Sequence, residues 1–303
     1  MRTRMLKSVV RFSWLAFLIV ISCQKENLST QTAASMQAQT ELSAQDNSQI
    51  VAVAQDAMNA TGSALAGKGI SNGRYAPNER TDGGDDVGCA PSISGSFAID
   101  RTHPDSTIYS GTLTIDYGTG TSCKDSTEIR RGKLIDAFKL IVRVKDSITY
   151  SLTESVTFQG YQLDSVTVDG SFVSVSTSDA ISTLTIQNAK ITYANGTSVT
   201  WGGTLTNKYI HVGAFERDME SREVTGSISG MNRAGVAFSA SITKPIWFEY
   251  NCSRTIPVSG TVNLTVGDAV SVIDYGTGVC DKNYTITTGG VTTTYTFKRH
   301  HHV

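Results

Sequence analysis

Val258-Ser259-Gly260-Thr261-Val262-Asn263-Leu264-Thr265-Val266 is the longest clean alternation of apolar and polar residues in this 303-residue chain. Side chains along a strand point to opposite faces with period two. The stretch therefore offers Val258, Val262, Leu264 and Val266 to a core and Ser259, Thr261, Asn263 and Thr265 to water. It decides the fold class because the same period recurs from Pro91 onward, in Ser92-Ile93-Ser94-Gly95-Ser96-Phe97-Ala98-Ile99, Thr112-Leu113-Thr114-Ile115 and Leu140-Ile141-Val142-Arg143-Val144. Val166-Thr167-Val168, Leu184-Thr185-Ile186 and the run from Thr292 to Phe297 continue it. Asn195-Gly196, set between Ile191-Thr192-Tyr193 and Val199-Thr200-Trp201, predicts a tight primed hairpin with two positive φ angles. Roughly a dozen or more short strands joined by turns predict an all-β fold, either an antiparallel β-sandwich or an extended curled sheet.

The N-terminal part reads differently. Arg2, Arg4, Lys7 and Arg11 form a basic head, and Phe12 to Ile21 form a largely apolar run too short to span a bilayer. Small Ser22 then precedes Cys23. That order is a secretory signal, and Val20-Ile21-Ser22-Cys23 resembles a bacterial lipobox, which implies acylation of Cys23 as the new N-terminus. Gln24-Lys25-Glu26 resembles the signal that carries Bacteroidetes lipoproteins to the outer face of the outer membrane. The expected organisation is a signal peptide over 1–22, a flexible tether over 23–49 and a short helix over 50–66. A loop over 67–88 and a β-rich domain over 89–303 follow. Ser, Thr, Gln and Asn dominate the tether. Ile50, Val53, Ala54, Ala57, Met58 and Leu65 fall at helical spacing, with a start near Asn47-Ser48 and a stop at Gly67. The apolar stripe is weak, which suits a docking or linker helix.

Without the basic residues of the signal, 22 Lys and Arg face 27 acids, a net charge near −5. No basic face for nucleic acid or for anionic headgroups follows from that balance. With Cys23 assigned to lipid, Cys89, Cys123, Cys252 and Cys280 remain, an even number in an oxidising compartment, open to three connectivities. No Cys-x-x-Cys pair is present, so a zinc site is not expected.

An internal repeat frames the β region. Ile115-Asp116-Tyr117-Gly118-Thr119-Gly120 returns as Ile273-Asp274-Tyr275-Gly276-Thr277-Gly278, each followed closely by a cysteine (Cys123, Cys280) and each preceded by one (Cys89, Cys252). A duplication that carried its bridge along pairs Cys89 with Cys123 and Cys252 with Cys280. The repeat resembles that of uncharacterised Bacteroidetes surface lipoproteins, in which an Asp-aromatic-Gly-x-Gly segment stands near a Cys towards both ends of a β-rich domain. The resemblance implies a fold and carries no activity. Asp116 and Asp274 read as turn-formers accepting backbone N–H groups, with Gly118, Gly120, Gly276 and Gly278 supplying the turn, rather than as metal ligands.

Catalytic patterns are weak. Gly69-Ile70-Ser71-Asn72-Gly73 spells a nucleophile elbow but lies in the loop before the β domain. His103, His211 and the terminal His300-His301-His302 have no recognisable triad partners. Trp201, Trp247, Tyr193, Tyr209 and Tyr250 read as core aromatics more than as sugar-stacking platforms. Four Asp-Ser-x triplets, at Asp105, Asp125, Asp146 and Asp164, resemble the O-glycosylation acceptor motif of Bacteroidetes. The expectation is a lipid-anchored protein of the outer membrane or cell surface, without cofactor, that binds a glycan or an envelope protein or serves an assembly. The second reading is a glycan-active hydrolase or carbohydrate-binding accessory protein.

Overall fold

The computed structural model describes residues 20–70, 91–120, 129–144, 147–177, 180–211, 220–249, 252 and 256–297. The side chains of residues 20–34, 211 and 220 are excepted. One helix, α1 (Val20–Gly67), precedes the strands. These are β1 (Ser92–Asp100), β2 (Ser106–Asp116), β3 (Arg130–Val144), β4 (Ile148–Leu163), β5 (Val166–Ser176), β6 (Ile181–Tyr193) and β7 (Ser198–His211). β8 (Glu220–Met231), β9 (Ala237–Phe248), β10 (Ser259–Val266), β11 (Ala269–Thr277), β12 (Asn283–Thr288) and β13 (Val291–Thr296) complete the order. All thirteen lie in one sheet, in sequence order, every neighbour antiparallel. The sheet is not closed. Of the two all-β architectures expected, the curled sheet is the one observed, and there is no second layer of strands among the described residues to make a sandwich.

What the sheet curls around is α1. Asp56 of the helix meets Arg130 of β3 and Tyr161 of β4, whereas Glu41 reaches Tyr295 of β13 and Asn47 and Ser48 reach Tyr275 of β11. A sheet can touch one helix from both of its ends only by wrapping round it. One continuous apolar cluster results, from Ala44, Ile50, Val53 and Leu65 of α1 to Leu113, Leu134, Leu184, Leu264, Ile273 and Ile286 of the strands.

The curl has a local cause. Register slips interrupt the ladders between Arg131 and Lys133, Thr157 and Tyr161, Asp169 and Ser171, Ile186 and Ala189, and Val224 and Ser227. Each extra residue bends its strand and sharpens the twist. Gly132 sits in the first slip at φ 72°, and a Cβ there would lie 2.0 Å from the carbonyl oxygen of Gly160 on β4. Only a residue without a side chain lets the two strands approach so closely.

Two expectations about local structure need correction. The helix is not confined to 50–66, since helical backbone begins at Val20 and takes in the stretch expected as a tether over 23–49. Thr40, Ser43, Ala44, Asp46 and Asn47 are buried. The expected start residues do other work: the Ser48 hydroxyl donates to the Ala44 carbonyl at 3.0 Å, and Asn47 turns to Tyr275. The stripe looks weak in sequence because α1 is covered by sheet on several sides and needs no single apolar face. The hairpin at Asn195-Gly196 also differs. Only Gly196 has positive φ. The Tyr193 N–H donates to the Thr197 carbonyl and the Gly196 N–H to the Tyr193 carbonyl, both at 2.9 Å, which makes a wider loop than the primed two-residue turn. Asn195 Oδ1 accepts from the Thr197 N–H and hydroxyl, so its side chain closes the loop instead of its own φ.

Candidate functional site

The repeat turns are structural pieces placed far apart. In an antiparallel meander, even-numbered strands end at one rim and odd-numbered strands at the other. Asp116 closes β2 and Asp274 lies near the end of β11, so the two copies stand at opposite rims and do not converge. Both Asp residues cap their own turn in the same way. Asp116 Oδ1 accepts from the Gly118 N–H at 2.8 Å, and Asp274 Oδ1 from the Gly276 N–H at 2.9 Å. Gly118, Gly120, Gly276 and Gly278 all adopt positive φ. The first turn is clasped by the β3 bulge, with Tyr117 donating to the Gly132 carbonyl and Gly132 to the Gly118 carbonyl. Lys133 Nζ lies 2.9 Å from Asp116 Oδ2, and this bond, with the Gly118 N–H, holds the carboxyl below the usual carboxylate range. At the far rim Cys252 and Cys280 are bonded, 28 residues apart. Cys89 and Cys123 lie outside the described residues, as do Ser71, Tyr250, His300, His301 and His302. Cys23 falls in the helical backbone of α1, and its side chain is not described.

Other singled-out residues scatter. His103 is exposed beside Asp100 at 3.8 Å. Trp201 is buried in the core, and the half-buried Trp247 donates its Nε1–H to Glu249 at 2.8 Å. Tyr193 and Tyr209 also turn inward. Among the described residues, no three His, Cys, Asp or Glu side chains converge.

The concentrated chemistry lies inside the curl, in two sets. The first seats the helix. Asp56 accepts from Arg130 Nε at 3.0 Å and from the Tyr161 hydroxyl. Ten residues earlier, Asp46 accepts from the Tyr193 hydroxyl at 2.8 Å and from the Arg233 backbone N–H at 3.2 Å, and pairs with the Arg233 guanidinium, whose plane lies 4.3 Å over the Tyr193 ring. Burial pushes the Asp46 carboxyl up, while Tyr193 and Arg233 pull it back. Asn232 donates to Gln39 and Ser43, and Gln55 donates to Asn207 at 3.0 Å. These bonds fix which helical residue meets which strand, a register that apolar packing alone sets loosely. Asp56→Ala leaves the Arg130 guanidinium and the Tyr161 hydroxyl without their carboxylate. Arg130 is partly exposed, so the expected loss is about 2–3 kcal/mol rather than the full cost of a stranded buried charge. Urea unfolding of the variant measures it, and an unchanged midpoint would mean that α1 is not held there.

The second set is a polar ladder on the concave face. Asp136 (0% exposed) shares its face of β3 with Leu134, Phe138 and Leu140; Glu154 (6%) shares its face of β4 with Leu152, Val156 and Phe158. Ser174 stands opposite Glu154, Ser176 opposite Ser182, and Ser182 opposite Asn207, which meets Gln55 of the helix. The Asp136 carboxylate oxygens and the hydroxyls of Ser174, Ser176 and Ser182 are buried without a hydrogen-bond partner. Burial first, and then the neighbouring Glu154 charge, push the Asp136 carboxyl up to about 8. Motif and spacing do not single this pair out in the sequence. The one signal that does is parity: an acid in step with Leu134 and Phe138, and another in step with Leu152 and Val156, must face the core.

No protein-family model, curated protein or solved structure matches the chain.

Proposed function

We propose that this chain is a lipid-anchored protein of the outer membrane or cell surface that works as a non-catalytic binding or structural module. The address rests on the basic head, the short apolar run and the lipobox-like Val20-Ile21-Ser22-Cys23, together with the resemblance of the paired Asp-Tyr-Gly-Thr-Gly segments to those of Bacteroidetes surface lipoproteins. The observation that carries the role is the orientation of the sheet. Its adjacent carboxylates, Asp136 and Glu154, face the sealed interior, whereas the convex face presents exposed Thr153, Ser155, Thr157 and Gln159 on β4. A glycosidase needs two carboxylates that a sugar can reach from opposite sides. The polar outer face of β4, beside the exposed Val173 and Val175 of β5, suits contact with a macromolecule of the envelope.

Two measurements test the reading. Cys23→Ala should lose label from a fatty-acid probe and leave the membrane fraction or stall as precursor; unchanged labelling and fractionation would remove the anchor. The purified mature chain should turn over none of a panel of bacterial and host glycans. Hydrolysis that disappears in Glu154→Gln would make the protein a glycan hydrolase instead.

A further inference from the structure

We propose that β1 pairs with β1 of a second copy of this chain, antiparallel about a two-fold axis through Ser96, and so forms a weak dimer. β1 stands at one end of the sheet, bonded to β2 on one side and, among the described residues, to no strand on the other. Six of its nine residues are exposed and none is buried. A strand so placed carries a row of backbone N–H and C=O groups that a further strand can take up.

Edges that stay single are blunted by lysine, proline, a bulge or a very short strand. β1 uses none of these. From Ser92 to Asp100 it holds no Lys, Arg or Pro, and its ladder with β2 runs the whole length without a slip. The opposite edge, β13, has only six residues.

The strand's own sequence chooses the occupant. With the axis through Ser96, every residue of β1 meets one of the second copy. Ile93 lies opposite Ile99, which is otherwise 43% exposed, and Gly95 lies opposite Phe97. The match of ring to glycine repeats what β1 already does with β2, where Phe97 faces Gly111 and Gly95 faces Leu113. An aromatic ring beside an edge glycine covers backbone that would otherwise face water. On the outer face Ser92 meets Asp100, Ser94 meets Ala98 and Ser96 meets itself, so no charge opposes a like charge. Other registers that keep the two faces in step are poorer. An axis through Gly95 sets glycine against glycine, one through Phe97 sets ring against ring, and each leaves two residues of either strand without a strand partner. A two-fold pair of this kind is closed and adds no further copies. One pair of edge strands falls below the roughly 1,000 Å² of a stable interface, so the dimer comes apart on dilution.

The test uses exposed positions on the outer face of β1. Ser96→Cys places two thiols on the axis, with Cα atoms about 4.5–5.5 Å apart, inside the range that a disulfide spans. Ala98→Cys places them four positions apart along the paired strands, about 13 Å, which is out of reach. Under mild oxidation the purified mature chain with Ser96→Cys should give a band of doubled mass that reductant removes, while Ala98→Cys and wild type stay single. In sedimentation equilibrium the wild-type mass should rise towards two chains with concentration. Ser96→Lys, which sets two ammonium groups against each other, should remain one chain at wild-type Tm. A wild type that stays single at every concentration while Ser96→Cys stays unlinked would overturn the proposal. So would equal linking by Ser96→Cys and Ala98→Cys, or a dimer that survives Ser96→Lys, since either places the contact elsewhere. None of these outcomes bears on the lipid anchor.

Discussion

Gly132→Ala should cost on the order of 4 kcal/mol and leave much of the protein unfolded at room temperature, whereas Gly160→Ala should cost only about 1 kcal/mol. The two glycines face each other across β3 and β4, and both have positive φ, 72° and 58°. Conformational strain is therefore nearly the same for both. They differ in space: a Cβ on Gly160 meets nothing within 4 Å, whereas one on Gly132 meets the Gly160 carbonyl oxygen at 2.0 Å and its carbon at 2.5 Å. Backbone atoms on a neighbouring strand cannot rotate away as a flexible side chain can, so the strands must part. Parting them costs ladder bonds between β3 and β4 around the slip, next to the turn that Gly132 clasps by accepting from the Tyr117 N–H and donating to the Gly118 carbonyl. Urea midpoints of the two variants measure the difference. Equal losses would mean that the close approach at the bulge is not what shapes the sheet there.

The period-two pattern makes the strands legible because it records a half-buried surface, and a long antiparallel meander is half-buried along its whole length. Val258 to Val266 shows this: Val262, Leu264 and Val266 are buried and Asn263 is exposed, as alternation requires, whereas Thr261, expected to face water, is buried beside the register slip between Ser259 and Thr261. The choice between sandwich and curled sheet is not legible. Both bury one face of every strand, and what separates them here is a set of single-residue slips, such as that at Gly132, which leave the alternation on either side intact. The extent of α1 is hidden for a related reason. Helical periodicity is visible when one face is wet, and beyond Thr40 several polar residues of α1, Asp46, Gln55 and Asp56 among them, point at partners on the sheet rather than at water. In sequence those residues resemble a soluble linker. The repeat segment is legible as turn chemistry, since an Asp two residues before a Gly with positive φ is a local arrangement that needs no distant partner. The interior ladder depends on partners brought in from neighbouring strands, such as Ser174 opposite Glu154 and Asn207 opposite Ser182, and on the parity of each strand, which becomes visible only when each acid is counted in step with its apolar neighbours.

Stability should fall as pH rises from about 4 to 8, and Asp136→Asn should remove most of that fall. In the folded protein the Asp136 carboxyl is raised to about 8 by burial and by the Glu154 charge, while in the unfolded chain it titrates near the ordinary value of about 4. The sign follows from proton counting. Between these two pH values the native state keeps a proton that the unfolded state has released, so the unfolded state binds fewer protons and raising the pH favours unfolding. Below about 4 both states are protonated and above about 8 both are ionised, so the contribution is flat at each end. Each unit of raised pKa corresponds to about 1.4 kcal/mol, so the whole interval sets an upper bound on the order of 5 kcal/mol, with a few kcal/mol expected once the interior relaxes around the charge. Asparagine keeps the shape of the side chain and carries no proton to lose. The variant should match wild type near pH 4 and exceed it by a few kcal/mol at pH 8. Exposed carboxylates such as Asp100 and Asp116, held below their usual range by Thr102 and by Lys133 respectively, act in the opposite direction at acid pH, but they are common to both proteins and cancel in the comparison. Paired urea titrations across this range give the difference directly. A difference independent of pH would show that Asp136 is ionised in the native state throughout, and that the strands bring a positive charge or open water to it.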